Sequence, residues 1–177
     1  MTTAQLAPGI RTARMVLRLP DPADAAPIAK GACDYAVSSN TTRMPYPYGQ
    51  ADARAFVALA RGLDPREQAT FVLEHRDAGV IGALGFHRGG APALELGYWL
   101  ARAHWGKGLA SEAVAAALHW AQTDWGRRLI IAGHFADNEA SGRVLVKAGF
   151  LYTGEVQRRF SRARGAEVAT RMMVWIA

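Results

Sequence analysis

The sequence predicts a single α+β domain in which helices cover both faces of one twisted, mostly antiparallel sheet. Apolar runs at 71–73 and 80–86, joined by a short polar turn, favour an antiparallel hairpin. A third strand is expected at 94–101, after a glycine-rich turn at 89–92. A long amphipathic helix then leads to 129–135, whose nearly continuous apolar character is typical of a strand covered on both faces. Three antiparallel strands before the central helix fit the α+β class better than repeated βαβ units.

Length and composition indicate one globular domain over residues 1–177, half of which are apolar. Cys33 is the only cysteine, so no internal disulfide can form, and we interpret it as a buried thiol without a chemical role. The first residues lack the apolar segment of a signal peptide, and no run of about eighteen apolar residues could span a membrane. We therefore expect a cytoplasmic protein with no membrane partner.

The N-terminal third is expected to begin with a loose lead over 1–13 and a first strand at 14–19. Asp21 is a plausible helix N-cap, because Pro22 follows at the first helical position. Two prolines exclude a helix at 44–48. The aromatic residues of that segment either line a substrate pocket or fasten the loop to the core.

Three later segments carry apolar residues at helical spacing. The first is a short amphipathic helix that follows Asp52 and ends near Gly62, with apolar residues Ala55, Phe56, Leu59 and Ala60. The second ends towards Gly126, and its stripe comprises Ala110, Val114, Ala117, Leu118, Ala121 and Trp125. The third begins around Asn138 and is expected to be capped at Gly149, with an inward face of Val144, Leu145 and Ala148.

The stretch Leu94–Ala110 places a glycine-rich turn between a strand and a helix. Gly106 and Gly108 let the backbone turn tightly, and the free N–H groups of the first helical turn favour an anion such as a pyrophosphate. Lys107 would add a positive charge beside that anion. The turn fits neither a P-loop, since glycine follows the lysine, nor a dinucleotide fingerprint, which needs glycine at Ser111. A tight strand–helix connection without a ligand is the alternative interpretation.

Two segments resemble the Gcn5-related N-acetyltransferase (GNAT) family. The family's [QR]-x-x-G-x-[GA] signature falls on Trp105, Gly108 and Ala110, with tryptophan in place of Gln or Arg. Further on, NEASGRVLVKAGF matches the family's N-x-x-S-x-x-x-x-x-K-x-G-F segment. GYWL followed by WGKGLASEA is similar to the RimJ/RimL-type branch, which acetylates protein N-termini and has relatives that acetylate small amines. The resemblance covers about 14–175, and it implies a GNAT-like sheet that splays between two parallel strands.

The resemblance implies acetyl-CoA as co-substrate. Its pyrophosphate is expected on the glycine-rich turn, and its pantetheine arm against backbone N–H groups of the preceding strand and against the side chain of Asn138. The expected cofactor-binding residues are Trp99, Leu100, Ala101, Trp105, Gly106, Lys107, Gly108, Leu109, Ala110, Asn138 and Ser141. No histidine has a partner at metal-ligand spacing, so no metal is predicted.

Acetyl transfer from a thioester to an amine needs a base for the amine, hydrogen-bond donors for the carbonyl oxygen and a proton for the leaving thiolate. Glu95 is the predicted base, because it lies on the strand that enters the cleft. The alternatives are a salt-bridged Glu95 and His134 as the base. By resemblance, Ser141 is the candidate acid, with Tyr98 and Tyr152 as other candidates. A first-turn serine that bonds only its own backbone is the alternative for Ser141.

A closing hairpin is expected, with strands at 151–156 and 169–176 around a loop at 157–165. The loop carries four arginines within seven residues, namely Arg158, Arg159, Arg162 and Arg164. A solvated tip would explain them, but like charges repel, which favours an approaching anionic partner. The resulting hypothesis is acetylation of a primary amine, foremost the N-terminal α-amino group of a protein or peptide of ribosomal-protein type.

Several alternatives remain open at this stage. The acceptor of the acetyl group could instead be a small amine, such as a polyamine, an aminoglycoside or an amino-acid-like molecule. A non-catalytic acyl-CoA sensor is a second alternative. The net charge of +6 suggests a nucleic-acid-binding module as a third, although aromatic and basic residues are not interleaved as a stacking platform requires. A homodimer is compatible with the sequence.

Overall fold

The computed structural model describes residues 9–88 and 93–177. The strands are Ile10–Arg11 (β1), Met15–Arg18 (β2), Ala69–His75 (β3), Gly79–Arg88 (β4), Leu94–Leu100 (β5), Leu129–Phe135 (β6), Leu151–Ser161 (β7) and Ala166–Ile176 (β8). They form one eight-stranded sheet in the order β1-β2-β3-β4-β5-β6-β8-β7. Neighbouring strands are antiparallel except for β5 and β6, which are parallel. The predicted, mostly antiparallel α+β arrangement is therefore confirmed.

Helices lie on both faces of this sheet. Their bounds are Ala25–Ala32 (α1), Tyr35–Ser38 (α2), Gln50–Arg61 (α3), Leu109–Thr123 (α4) and Glu139–Lys147 (α5). The core consists of two hydrophobic clusters. Buried side chains of α1 and α3 form one cluster with Val72 of β3, and those of α4 and α5 form the other with Phe71 and Leu73 of the same strand. Adjacent strand residues point to opposite faces, so we call the two sides the α1/α3 face and the α4/α5 face. No helix within the described residues has both the length and the apolarity to cross a bilayer.

The N-terminal segment confirms one prediction and changes another. Asp21 caps a 3-10 turn at Pro22–Asp24, and its carboxylate accepts a hydrogen bond from the Ala23 N–H at 2.9 Å. The expected loose lead already contains β1, which pairs with β2. The remainder of that lead at 1–8 and the predicted turn at 89–92 lie outside the described residues.

The predicted short amphipathic helix after Asp52 is α3. Its buried residues are Ala53, Val57 and Ala60, whereas Leu59 is 63% exposed and lines a cleft. Two other predictions are wrong. Cys33, expected to be buried, is exposed. Most of the predicted loop at 157–165 is strand, because β7 continues to Ser161 and β8 resumes at Ala166.

The parallel pair β5 and β6 opens into a gap. The two strands are paired only at Leu94–Ile130, Glu95–Ile131 and Leu96–Ala132, although β5 continues to Leu100 and β6 to Phe135. This confirms the predicted splay. Because α4 follows β5 and α5 follows β6 in the chain, the N-termini of both helices lie at the open end of the gap. The gap therefore collects free helical N–H groups from two helices.

Candidate active site

A cleft of about 1500 Å³ includes the gap between β5 and β6. Trp99 of β5 packs with the cluster of the α1/α3 face, and Leu100 belongs to that of the α4/α5 face. Since side chains alternate along a strand, Glu95 shares the face of Trp99 and Tyr98 shares that of Leu100. Glu95 lines the cleft from the first face, and Tyr98 and Ser141 line it from the second. Two reactants can therefore meet in the gap after approaching from opposite faces of the sheet.

Backbone N–H groups of β5 line the edge of the gap, but not the ones that were expected. The Ala101 N–H donates to the Ile81 carbonyl at 2.8 Å, so it is not available to a ligand. Along an antiparallel strand, N–H groups point alternately towards and away from the neighbour, and the Trp99 N–H therefore also points to β4. The same alternation directs the N–H groups of Leu100 and Tyr98 into the gap. Of the predicted residues Trp99, Leu100 and Ala101, only Leu100 directs its N–H into the gap, and the N–H of Tyr98 points there too. Binding of the pantetheine arm by these groups stays a prediction.

The turn before α4 has the geometry of an anion cradle. Gly106 and Gly108 have φ angles of 71° and 73°, a left-handed conformation that glycine adopts without steric cost. Gly108 is the N-cap of α4, so the N–H groups of Leu109 and Ala110 have no helical partner and point outwards. A Cβ added at Gly106 would meet nothing within 4 Å, which leaves room for a ligand. The donors and the open space fit a pyrophosphate.

Two side chains of the turn stabilise it instead of facing the cradle. The Lys107 ammonium donates to the Ala103 carbonyl at 2.9 Å. The Trp105 indole N–H donates to the Leu100 carbonyl at 2.8 Å and thereby joins the end of β5 to the turn. The direct contacts to pyrophosphate predicted for these two residues remain predictions. In this conformation the hydrogen-bond donors that face the cradle are backbone N–H groups.

Glu112 supports the cradle and was missed by the sequence analysis. Its carboxylate accepts hydrogen bonds from the Thr12 hydroxyl at 2.6 Å, from the Arg14 N–H at 2.8 Å and from the Arg14 guanidinium at 2.7 Å. Burial raises the pKa of Glu112, but the hydrogen bonds from Thr12 and Arg14 outweigh it, and the pKa lies below its ordinary value. Arg14 also donates to the Lys107 carbonyl at 2.9 Å. The N-terminal segment therefore holds both the turn and the first turn of α4.

Tyr98 and Ser141, both candidate acids, touch one another on the α4/α5 face. Their hydroxyl oxygens are 2.9 Å apart. Burial raises the pKa of Tyr98 to about 12, and the hydrogen bond with Ser141 offsets only part of that rise. Asn138 is the N-cap of α5, as predicted, and its amide oxygen accepts from the Ser141 N–H at 3.2 Å. At neutral pH Tyr98 is thus a protonated phenol within hydrogen-bond distance of the Ser141 hydroxyl.

His134, the rival base, is engaged at both ring nitrogens. Its Nδ1 lies 2.8 Å from the Phe135 carbonyl and its Nε2 lies 3.0 Å from the Tyr152 hydroxyl. A carbonyl oxygen only accepts, so Nδ1 carries the proton. His134 also lines the α4/α5 face, opposite to Glu95, and only 4% of it is exposed. Among the described residues, no group of three or more His, Cys, Asp or Glu could hold a metal ion.

Glu95 forms an ion pair across the cleft with Arg159. Two guanidinium N–H groups donate to the two carboxylate oxygens, one of them at 3.1 Å. Gln157 fixes the other side of the guanidinium, since its amide oxygen accepts from Nε of Arg159 at 3.0 Å. Both charged side chains are about four-fifths buried. Glu95 is thus salt-bridged, as one interpretation had it, and it also lines the cleft, as a catalytic base would have to.

The other arginines of the closing hairpin also have partners. Arg158 pairs with Glu167 across the strands, and the Arg162 guanidinium donates to the Arg43 carbonyl at 3.3 Å. Arg164 is bound to Asp137 at 2.6 Å, which holds the pKa of that carboxyl below its ordinary value. Repulsion between unpaired arginines was the argument for an anionic acceptor, and the structure removes it. The hairpin turn is instead tied to the segment before α3, where the Thr42 carbonyl accepts from the Arg162 N–H at 3.1 Å.

His87 is a further cleft residue that the sequence analysis did not single out. In the β4–β5 pair it stands directly opposite Glu95, so both side chains share the α1/α3 face. Burial, with a smaller effect of Arg43, lowers the pKa of His87 to about 4. An uncharged imidazole therefore lies beside the predicted base at neutral pH. Only the residue pairing between β4 and β5, which the sequence analysis did not predict, places His87 beside Glu95.

Comparisons with known proteins give a family match and two curated relatives. Residues 14–151 match the acetyltransferase (GNAT) domain family. An uncharacterized N-acetyltransferase, YoaA of Bacillus subtilis, is 36% identical over 101 residues, which are 55% of this chain and 56% of that protein. The ribosomal-protein-serine acetyltransferase of Escherichia coli is 33% identical over 108 residues, 59% of this chain and 60% of that protein. The matched region thus spans little more than half the length of these curated relatives.

Solved structures show the same fold. RimJ of Mycobacterium smegmatis, in complex with CoA-disulfide, superposes with a TM-score of 0.81. The superposition covers 97% of this chain and 88% of that chain, at 23% sequence identity. At this identity the likeness concerns the fold alone.

Proposed function

Since this chain belongs to the GNAT acetyltransferase family, we propose that it transfers the acetyl group of acetyl-CoA to a primary amine. The observation that carries the proposal is the open gap between β5 and β6. It combines inward N–H groups of Leu100 and Tyr98 with a glycine cradle at the N-terminus of α4. When bound, acetyl-CoA supplies an activated acyl group. We place the enzyme in the cytoplasm, in keeping with its single cysteine.

The residues of the two faces have complementary roles in this proposal. Glu95 takes the proton of the attacking amine, directly or through one water, as the new N–C bond forms. The N–H groups of Leu100 and Tyr98 donate to the pantetheine arm and the acetyl carbonyl oxygen, where charge develops. Ser141 gives its hydroxyl proton to the departing sulfur as the C–S bond breaks. Tyr98 lies 2.9 Å from that hydroxyl and can return the proton.

The proposed acceptor is the N-terminal α-amino group of a protein or peptide. An α-amino group has a pKa of about 8, against about 10 for an alkyl amine, so a weak base suffices to free it of its proton. One relative acts, by its name, on the serine of a ribosomal protein. Among the described residues that line the acceptor side of the cleft, basic Arg43, Arg159 and Arg162 outnumber acidic Asp52 and Glu95. A polycationic polyamine or aminoglycoside is disfavoured by this balance.

A turnover screen with acetyl-CoA tests the proposed acceptor. We expect N-terminal peptides to be acetylated faster than polyamines and aminoglycosides, measured as CoA release and as the acetylated product by mass spectrometry. Strong turnover of a polyamine, with none of a peptide, would overturn the peptide assignment. Isothermal titration tests the activity class separately, because failure to bind either acetyl-CoA or CoA at high micromolar concentration contradicts the whole proposal.

Replacing Ser141 by alanine is expected to lower kcat by about tenfold to a hundredfold and to change KM less. The hydroxyl that protonates the sulfur is lost, whereas the backbone donors remain. Steady-state kinetics with a good acceptor measure both constants. Thr123→Ala is the matched control, because it removes an exposed hydroxyl at the far end of α4. Equal kcat in the Ser141 variant and the control would assign Ser141 a purely structural role at the start of α5.

A further inference from the structure

The floor of the acceptor side of the cleft contains a hollow made by two glycines. In the sheet register, Thr70 of β3 pairs with Gly85 of β4, and Gly85 pairs with Gly97 of β5. These positions share the α1/α3 face, one step along each strand from the His87–Glu95 pair. Because neither glycine has a side chain, the sheet surface is open directly beside Glu95.

The imidazole of His87 lies in this hollow. A Cβ added at Gly85 would be 2.6 Å from Cε1 and 2.9 Å from Nε2 of the ring, a contact that real side chains do not make. A Cβ at Gly97 would be 4.0 Å from Nε2. Glycine at position 85 thus leaves the space that the ring occupies. The ring therefore lies over Gly85 and next to the position of Gly97.

The polar atoms of this ring are available to a ligand. Among the described residues, no backbone or side-chain group forms a hydrogen bond with either ring nitrogen of His87. Glu95, its neighbour across the strands, accepts hydrogen bonds from Arg159 and forms none with His87. Burial and Arg43 keep the ring uncharged at neutral pH. A neutral imidazole has one nitrogen that accepts a hydrogen bond and one that donates.

We propose that His87 is an acceptor-binding residue that accepts a hydrogen bond from one N–H of the amine while Glu95 accepts the other. This inference rests on the proposed function. A neutral primary amine has two N–H groups and one lone pair. When Glu95 and His87 hold both N–H groups on the α1/α3 face, the lone pair is directed into the gap, towards the acyl carbon. The pair therefore selects primary amines over secondary amines, which have a single N–H.

The test compares a peptide that has a free N-terminal amine with the same peptide methylated on that nitrogen. Wild-type enzyme is expected to prefer the primary amine in kcat/KM. His87→Phe keeps the ring but not its polar atoms, and we expect it to lose about tenfold on the primary amine, as for one hydrogen bond. Its loss on the methylated peptide should be much smaller, so the preference shrinks by about the same factor. The effect of the substitution would then depend on whether the substrate nitrogen is methylated. A merely structural role of His87 would lower activity on both peptides equally.

Controls separate the possible failures. Acetyl-CoA affinity by titration should be unchanged in His87→Phe, and His119→Phe, at an exposed position of α4, should behave as wild type in every assay. If the phenylalanine variant does not fold, His87→Gln and His87→Met provide a pair of similar size in which only glutamine can accept a hydrogen bond. Equal losses on both peptides, or wild-type activity of the methionine variant, would overturn the role of His87. If the wild-type enzyme acetylates neither peptide, the proposed function itself fails.

Discussion

Glu95→Gln is expected to lower kcat by about 10²–10⁴-fold, the usual contribution of a general base, and to leave acetyl-CoA affinity near that of the wild type. Glutamine has the size of glutamate but cannot take the proton of the amine. Glu95 lies on the α1/α3 face, away from the N–H groups and the cradle that would hold the cofactor. Steady-state kinetics and titration with acetyl-CoA measure the two effects independently.

The ion pair with Arg159 demands a control for structural damage. Glu167→Gln makes the same chemical change in an exposed ion pair, since Glu167 faces Arg158 near the tip of the same hairpin and both side chains are more than half exposed. It should retain wild-type kcat. Arg159→Gln tests whether the pair orients the carboxylate, and its expected loss is smaller because the base remains. A Glu95 variant within about twofold of the wild type would exclude this residue as the base.

Local sequence patterns predicted most of the fold. The two-residue alternation at 94–101 and the helical spacing after Gly108 fixed the strand–turn–helix unit, and the structure confirms it. The family suggested by Trp105, Gly108 and the NEASGRVLVKAGF segment is confirmed by the domain match. These patterns involve residues that are close together in the sequence, so they can be recognised without knowing what packs against the segment.

Errors arose where a segment's environment overrides its composition. Four of the five residues from Gln157 to Ser161 are polar, and this composition suggested a loop. They form the exposed edge strand β7, in which arginines find partners on β8 and across the cleft. On α3 the pattern showed an apolar stripe but not that its outer part, with Leu59, would line a cleft. A single sequence does not distinguish a residue that faces the core from one that faces a ligand.

The candidate site was predictable residue by residue, but its pairings were not. Glu95 and Arg159 are 64 positions apart, and Tyr98 and Ser141 are 43 apart. Such contacts depend on sheet register and on how two helices approach the gap. The commitment of the Ala101 N–H to Ile81 is likewise a matter of register. His87 was missed for the same reason, since only the pairing of β4 with β5 places it opposite Glu95.

Gly108→Val is expected to abolish measurable binding of acetyl-CoA and CoA in a titration. The left-handed φ of 73° at Gly108 costs an ordinary residue roughly 1–2 kcal/mol, and a β-branched side chain fits it still less well. The larger effect is local, because the valine would stand at the N-cap of α4, where the pyrophosphate meets the free N–H groups. Lys107→Ala should weaken binding only modestly, since the ammonium is bonded to Ala103.

The outcome is interpretable because the chain offers a glycine with a similar φ away from the cleft. Gly79, the first residue of β4, has a φ of 67°, and a Cβ there would meet nothing within 4 Å. Gly79→Val thus imposes similar backbone strain away from the cleft, and it should lower the melting temperature while acetyl-CoA affinity stays at the wild-type value. If Gly108→Val lost only as much stability as this control and bound acetyl-CoA normally, the pyrophosphate would have to bind elsewhere. The assignment of the α4/α5 face to the cofactor would then lose its main support, and with it the role proposed for Ser141.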